Sequence, residues 1–349
     1  MQRNGMTRRG FVGAAAAAGA AVIAPSIVRA AQKVTLGVVN TISDAPYFIA
    51  DGRGYFKAEG LDVEIINFPS GAKMISSLST GELDVSGGAV SAGLYNANER
   101  QISIKIVADK ARNAPGMSFQ SLLVRSDLLD SGAFKSLADL KGRKCAIPAI
   151  GSAGEQSTLN EACKKGGIPF ESVERVFLAT PDQIAGLANK AIDCTIVAEP
   201  VLTIAERRGI ARRFMPLSEI YPNQQAAVTT YGAALLKNKD AATGFMKAFL
   251  KGARDYNDAI KDAKLIGRDA DAILALITKY STVKDIELLR SVVPSACNPD
   301  GEPNREGLDR DLKFVQQLGL VQKHVTIDQV LDLSFLKAAL AELGPYKRA

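Results

Sequence analysis

Tryptophan is absent from the 349 residues, and His324 is the only histidine. One imidazole near the C-terminal end supplies neither a general base for an upstream cleft nor the paired histidines of a zinc site. Cysteine is sparse as well. Cys145, Cys163, Cys194 and Cys297 show no C-x-x-C spacing, so zinc-ribbon and haem-attachment patterns are excluded, and no cofactor and no metal is expected. Buried free thiols are the expectation, and Cys145 with Cys194 is the one pair whose predicted strands share a sheet. Nucleotide and hydrolase motifs are missing too: there is no G-x-x-x-x-G-K-[ST], no G-x-G-x-x-G after a strand, no G-x-S-x-G and no H-E-x-x-H. Together these absences argue against an enzyme.

Charge of either sign is modest. The formal net charge is +6, and Arg3, Arg8, Arg9 and Arg29 supply most of it from a stretch without a single acid. The remainder has no basic run, which leaves no electrostatic case for binding nucleic acid or a membrane surface. That arginine-bearing stretch differs in kind from the rest. Thr7-Arg8-Arg9-Gly10-Phe11 matches a twin-arginine export signal, an Ala/Gly-rich apolar segment follows from Phe11 to Ala24, and Val28-Arg29-Ala30 offers a small-residue cleavage site. Residues 1–30 are therefore expected to be a signal peptide cleaved near Ala30. Its apolar part is shorter than the roughly 20 residues a membrane span needs.

Beyond residue 30 the sequence is globular, with 47% hydrophobic content overall, and long enough for two lobes. Val34, Leu36, Val38 and Val39 form a short apolar run of strand type, and a polar loop through Ser43 and Asp44 leads into a helix with Pro46 in its first turn. Gly60 ends the helical stretch, and Leu61, Val63, Ile65 and Ile66 make the next strand. The same βα logic continues through Leu83–Ser86 and Ile102–Ala108, with Gly87-Gly88 read as a turn. It restarts at Lys144–Ile147, Val173–Leu178 and Asp193–Val197. Extended apolar runs near residues 122 and 230 read as two crossings, giving a first lobe at 31–122, a second at 123–228 and a return with C-terminal helices at 229–349.

Gly54-Tyr55-Phe56-Lys57-Ala58-Glu59-Gly60-Leu61-Asp62-Val63-Glu64 closely resembles the opening signature of the NMT1/THI5-like periplasmic substrate-binding proteins, which serve ABC importers for nitrate, sulfonate, taurine and thiamine-precursor pyrimidines. The resemblance implies an α/β chain of type II periplasmic-binding-protein fold, two doubly wound lobes joined by two crossing segments. It implies a monomer in the periplasm that captures a small-molecule solute and hands it to ABC permease membrane subunits with their ATPase. A small organic anion is the expected solute. A thiamine-precursor pyrimidine or other aromatic amine is the alternative, and an enzyme on the same fold is a third reading.

Candidate contacts lie where strands end and helices begin, because free amides there attract polar and anionic groups. In the first lobe these are Ser43, Asp44, Ser70, Gly71, Gly88 and Ala89; in the second they are Gly151, Ser152 and Thr180. Gly151-Ser152 also matches a Gly-Ser that the resemblance places against the ligand. Ser152 and Glu155 fit a capping box, so capping alone is the competing role for Ser152. Glu199, in an acidic-proline pair resembling one common in the family, could accept from a ligand amine, with a solvated surface group as the alternative. Tyr47 and Tyr231 could bracket a ring or simply pack.

Overall fold

The computed structural model describes residues 1–2 and 31–348, so the signal-peptide reading falls outside the described residues. By its contacts the chain divides into Met1–Ala30 and Ala31–Ala349, and two five-stranded sheets lie in the second unit. Ten strands build them: β1 Gln32–Val38, β2 Leu61–Asn67, β3 Val85–Gly88, β4 Lys105–Arg112, β5 Gln120–Arg125, β6 Lys144–Ile147, β7 Glu174–Phe177, β8 Cys194–Ala198, β9 Ala211–Pro216 and β10 Gln225–Tyr231.

Both sheets follow one plan. The first runs β2-β1-β3-β10-β4 and the second β7-β6-β8-β5-β9. Three neighbouring strands are parallel in each, and the fourth is antiparallel to both of its neighbours. The antiparallel strand is the one that has just arrived from the other half: β5 enters the second sheet after β4, and β10 returns to the first after β9. The sheets are thus mixed, where a βα pattern by itself predicts parallel strands. β5 lies wholly within the second sheet, so the chain passes between sheets at 113–119 and again at 217–224. Asn113 N–H donates to Gln224 O at 3.3 Å and ties the two passages together.

Alternation along the strands sorts side chains to the two faces of each sheet. In the second sheet Leu122, Val124, Cys145, Ile147 and Ile196 go to one core, while Leu123, Ala146 and Val197 go to the other. One face of the first sheet meets the long helix Lys239–Ala259, where Phe245 and Phe249 pack with Leu36, Tyr47 and Tyr231. The opposite face is covered by helices Gly71–Thr80, Ala92–Glu99 and Arg305–Gln317.

The signature stretch locks this arrangement. Gly60 has φ +73°, a left-handed conformation that side-chain-bearing residues rarely adopt, and it turns the chain from the helix Tyr55–Ala58 into β2. Tyr55 donates its hydroxyl to Asp255 at 2.6 Å, and Glu59 pairs with Lys247 and Lys251, all on the long helix. Glu59 is thereby an ion-pair partner rather than a freely solvated side chain. The helix Arg305–Gln317 also departs from expectation. It packs Leu308, Leu312 and Val315 on the first-sheet core, but Phe314 reaches Phe170 in the second half, ring centroids 5.1 Å apart.

Candidate functional site

Between the sheets lies a cavity of about 70 Å³. Its walls come from both halves, and three helices begin at it: Gly71–Thr80, Ala92–Glu99 and Ala153–Lys165. The residues before them are Ser70, Ser91 and Ser152, all cavity-lining, and none caps its own helix through its side chain. Hydroxyls at three helix starts, with helix dipoles behind them, make a wall of donors for a polar or anionic group.

Backbone geometry brings these starts together. Ala92 N–H donates to Gly151 O at 2.9 Å and Ala153 N–H donates to Val90 O at 3.3 Å, so the two halves touch through main chain at the cavity. A second link across the halves is Ile42 N–H to Glu199 O at 3.2 Å. Gly71 permits the first wall: a Cβ there would stand 2.6 Å from Ala89 O, so the helix start and the end of β3 approach as only glycine allows.

Of the residues singled out from sequence, Ser43, Ser70, Gly71, Ala89, Ser152 and Thr180 line the cavity. The others do not, and each has a physical reason. Gly87 and Gly88 are not a turn. They are paired in β3 with Thr229 and Val228, and Gly88 abuts Gly71. Gly151 contributes its carbonyl to the contact with Ala92. Asp44 is fully buried in an ion pair with Lys110, Nζ to Oδ1 2.6 Å, and Lys110 also donates to Ser43 Oγ and Gly87 O.

The tyrosines turn the other way. Tyr47 is buried against Phe245 and Phe249, its hydroxyl 2.7 Å from Thr229 Oγ1, and burial pushes its pKa well above the ordinary value. Tyr231 is buried in the same core and donates to Ala242 O. Glu199 is fully buried, neither solvated nor aimed into the cavity. Arg213 donates to it at 2.6 Å, and Thr203 donates to it through both its N–H and its hydroxyl. Burial raises its pKa, and the Arg213 charge opposes that rise.

Sequence reading missed Thr41, Ser91, Phe119 and Gln120, and gave Glu155 only a capping role. Ser91 was hidden because the helix begins at Ala92, two residues later than its apolar pattern suggests. Gln120 opens β5, and Asn113 donates its amide to Gln120 Oε1 at 2.7 Å, which leaves the Gln120 amide nitrogen as the available donor. The Ser152–Glu155 capping box does not form. Among the described residues no group of three or more His, Cys, Asp or Glu side chains is placed to hold a metal ion, and no helix is long and apolar enough to cross a membrane.

Known proteins share this architecture. The "Putative binding protein YtlA" of Bacillus subtilis is 25% identical over 330 residues, covering 87% of this chain and 89% of its own. The periplasmic nitrate-binding protein NrtA from Synechocystis PCC 6803 superposes with a TM-score of 0.73 at 14% identity, over 90% of this chain and 89% of that one. The alkanesulfonate-binding protein SsuA from Xanthomonas axonopodis pv. citri, bound to MOPS, gives 0.67 at 15%, over 86% and 98%. The desulfurization enzyme DSZB gives 0.61 at 15%, over 89% and 99%, so the fold also carries an enzyme. These likenesses establish the type II periplasmic-binding-protein fold. The profile of the NMT1/THI5-like family matches residues 42–262, well over half of the sequence, and the chain therefore belongs to that family.

Proposed function

We propose that this protein is the solute-binding component of an ABC importer, taking a small organic anion of sulfonate, taurine, nitrate or carboxylate type into the cavity between its halves. The lobes would be residues 31–112 with 225–348, and residues 120–216. The observation that carries the reading is the meeting of three helix starts on one cavity, with Ser70, Ser91 and Ser152 freed from capping. On that geometry an anionic group takes the free amides and hydroxyls in place of water, and closure of one half on the other is the state a permease reads. The nitrate and alkanesulfonate specificities of NrtA and SsuA support the anion reading. A cavity of about 70 Å³ favours a solute of a few heavy atoms, since one water needs roughly 10–15 Å³ on that scale.

An aromatic amine is less well served, because Tyr47 and Tyr231 face the core and Phe119 is the aromatic side chain on the described wall. The binding reading is also supported over an enzyme by a lining that, among the described residues, includes no cysteine and no histidine. Export to the periplasm, a monomeric state and delivery to permease subunits with their ATPase belong to the same proposal.

The test is a thermal-shift screen of the full chain, unfolded and refolded to strip carried-over solute, against nitrate, taurine, alkanesulfonates, small carboxylates and aminopyrimidines. A solute at about 100 times its dissociation constant adds about 2.7 kcal/mol, which raises the midpoint visibly. A rise with one anion class is expected. No rise with any compound, and no small molecule released from the unstripped protein, overturns the reading.

A further inference from the structure

Two buried polar atoms at the cavity have no hydrogen-bond partner among the described residues, and they belong to opposite halves. Ser91 Oγ comes from the first half, in a residue only 1% exposed, and Glu155 Oε2 comes from the first turn of Ala153–Lys165 in the second. Glu155 is also the only charged side chain among the described cavity-lining residues. No described lysine or arginine stands on the wall to pair with it.

Glu155 as a residue is only partly buried, but its Oε2 is enclosed and unpartnered, an unfavourable state for a carboxyl oxygen that a hydrogen bond from an occupant would relieve. Its surroundings indicate which state the occupant meets. Burial pushes the Glu155 pKa up, but the residue's own backbone N–H donates to the carboxylate, and a first-turn position at a helix start favours negative charge. An unpartnered carboxyl oxygen retains acceptor capacity whether or not the group carries a proton, and an acceptor needs a donor. The helix starts at Ser70 and Ser91, which suit an anionic group, belong to the first half and line the same cavity as Glu155 of the second.

Resting on the solute-binding reading above, we infer that Glu155 Oε2 accepts a hydrogen bond from an N–H group of the solute, so the solute is an amino-bearing anion rather than a simple one. Its anionic end takes the Ser70 and Ser91 helix starts, and its ammonium or other N–H group takes Glu155. This gives Glu155, rather than Glu199, the task of recognising an amine. It also explains why the cavity carries a negative side chain in a family that includes anion binders.

The test is isothermal titration of the full chain and of Glu155→Gln with matched pairs that differ in the amino group: taurine against ethanesulfonate, and β-alanine against propionate. The wild type is expected to favour the amino member of a pair by about tenfold or more, as for a desolvated charge pair. Glu155→Gln is expected to lose that preference while keeping its affinity for the amino-free member. A merely structural Glu155 would weaken both members alike, and that result overturns the inference. Equal binding of both members by the wild type also overturns it, needs no variant, and leaves the receptor reading standing. Binding of no member of either pair, alongside a negative screen for other anions, overturns the receptor reading and this inference with it.

Discussion

Ser91 and Ser152 are antiparallel bridge partners across the cavity, held by Ala92 N–H to Gly151 O and Ala153 N–H to Val90 O. Both serines line the cavity, so the main-chain contact that joins the halves is made by the same short segments that present hydroxyls to an occupant. On the proposed closure, a solute seated on Ser91 and Ser152 would stabilise the bridge, and the bridge would position the hydroxyls, the differential contact such a mechanism needs.

The bridge can be weakened without harming a helix. Ala92 is the first residue of its helix, where proline is tolerated, and Ser91 has extended dihedrals of −130° and 158° that suit a residue before proline. Ala92→Pro deletes the donor to Gly151 and little else. The expected result is a loss of about 1 kcal/mol of closed-state stabilisation, seen by titration calorimetry as about fivefold weaker binding, with the melting point of the solute-free chain unchanged. Unaltered affinity would show that the bridge plays no part in capture.

Glu199 and Arg213 give the opposite prediction. The carboxylate is fully buried and satisfied by Arg213 and Thr203, so its removal strands an arginine and two Thr203 donors without touching the cavity. Glu199→Ala should lower the unfolding free energy by about 2–3 kcal/mol, less than for a fully buried pair because Arg213 is partly exposed and keeps Glu206. Solute affinity should hold within about twofold. Urea titration and calorimetry on one preparation separate the two effects; a selective loss of affinity would return Glu199 to the binding site.

Much of the fold was legible because its signals are local. The alternation of β1 and the run Lys144–Ile147 marked strands, and the Gly54–Glu64 signature marked the family. β9 was missed because it is an edge strand whose Arg212 and Arg213 break the apolar pattern. That omission hid the partner of Glu199, which therefore looked free for a ligand. Tyr47 and Tyr231 stayed open between bracketing a ring and packing for a related reason: periodicity says that a side chain is buried but not whether it faces the helix Lys239–Ala259 or the cavity, and both face the helix. Glu155 matched the capping-box spacing, and spacing alone could not reveal that Ser152 lines the cavity without capping its helix.

Asp311 supplies a pH prediction. It is buried on Arg305–Gln317, where it accepts the Tyr221 hydroxyl at 2.9 Å, and burial first, with the Glu155 charge adding to it, pushes its pKa up to about 7. The folded chain then binds this proton more tightly than the unfolded chain. Its stabilising contribution is complete below the ordinary aspartate range and is lost as the pH rises through about 7. Asp311→Asn keeps an acceptor for Tyr221 and removes the titration. The variant should gain on the wild type by at most about 1.4 kcal/mol per pH unit between roughly pH 4 and 7, read from urea midpoints. A constant difference across that range would contradict it.

The cysteines test the cores of both halves, three of them in the second and Cys297 in the first. Cys145 and Cys194 are register partners on the parallel strands β6 and β8, so their side chains emerge on the same face, yet both thiols are free, as are Cys163 and Cys297. A hydrogen bond with Cys145 and burial push the Cys194 thiol well up, and burial takes Cys163 to about 12. Protonated, buried thiols are poor nucleophiles, since the thiolate is the reacting form. The native chain should therefore leave a disulfide reagent such as DTNB unreacted, and urea should release all four thiols together in one cooperative step. Recovery of only two thiols after unfolding without reductant would place a disulfide between Cys145 and Cys194. Early release of one thiol below the main transition would instead mark a part of the fold that opens before the rest, the second half for Cys145, Cys163 or Cys194 and the first for Cys297.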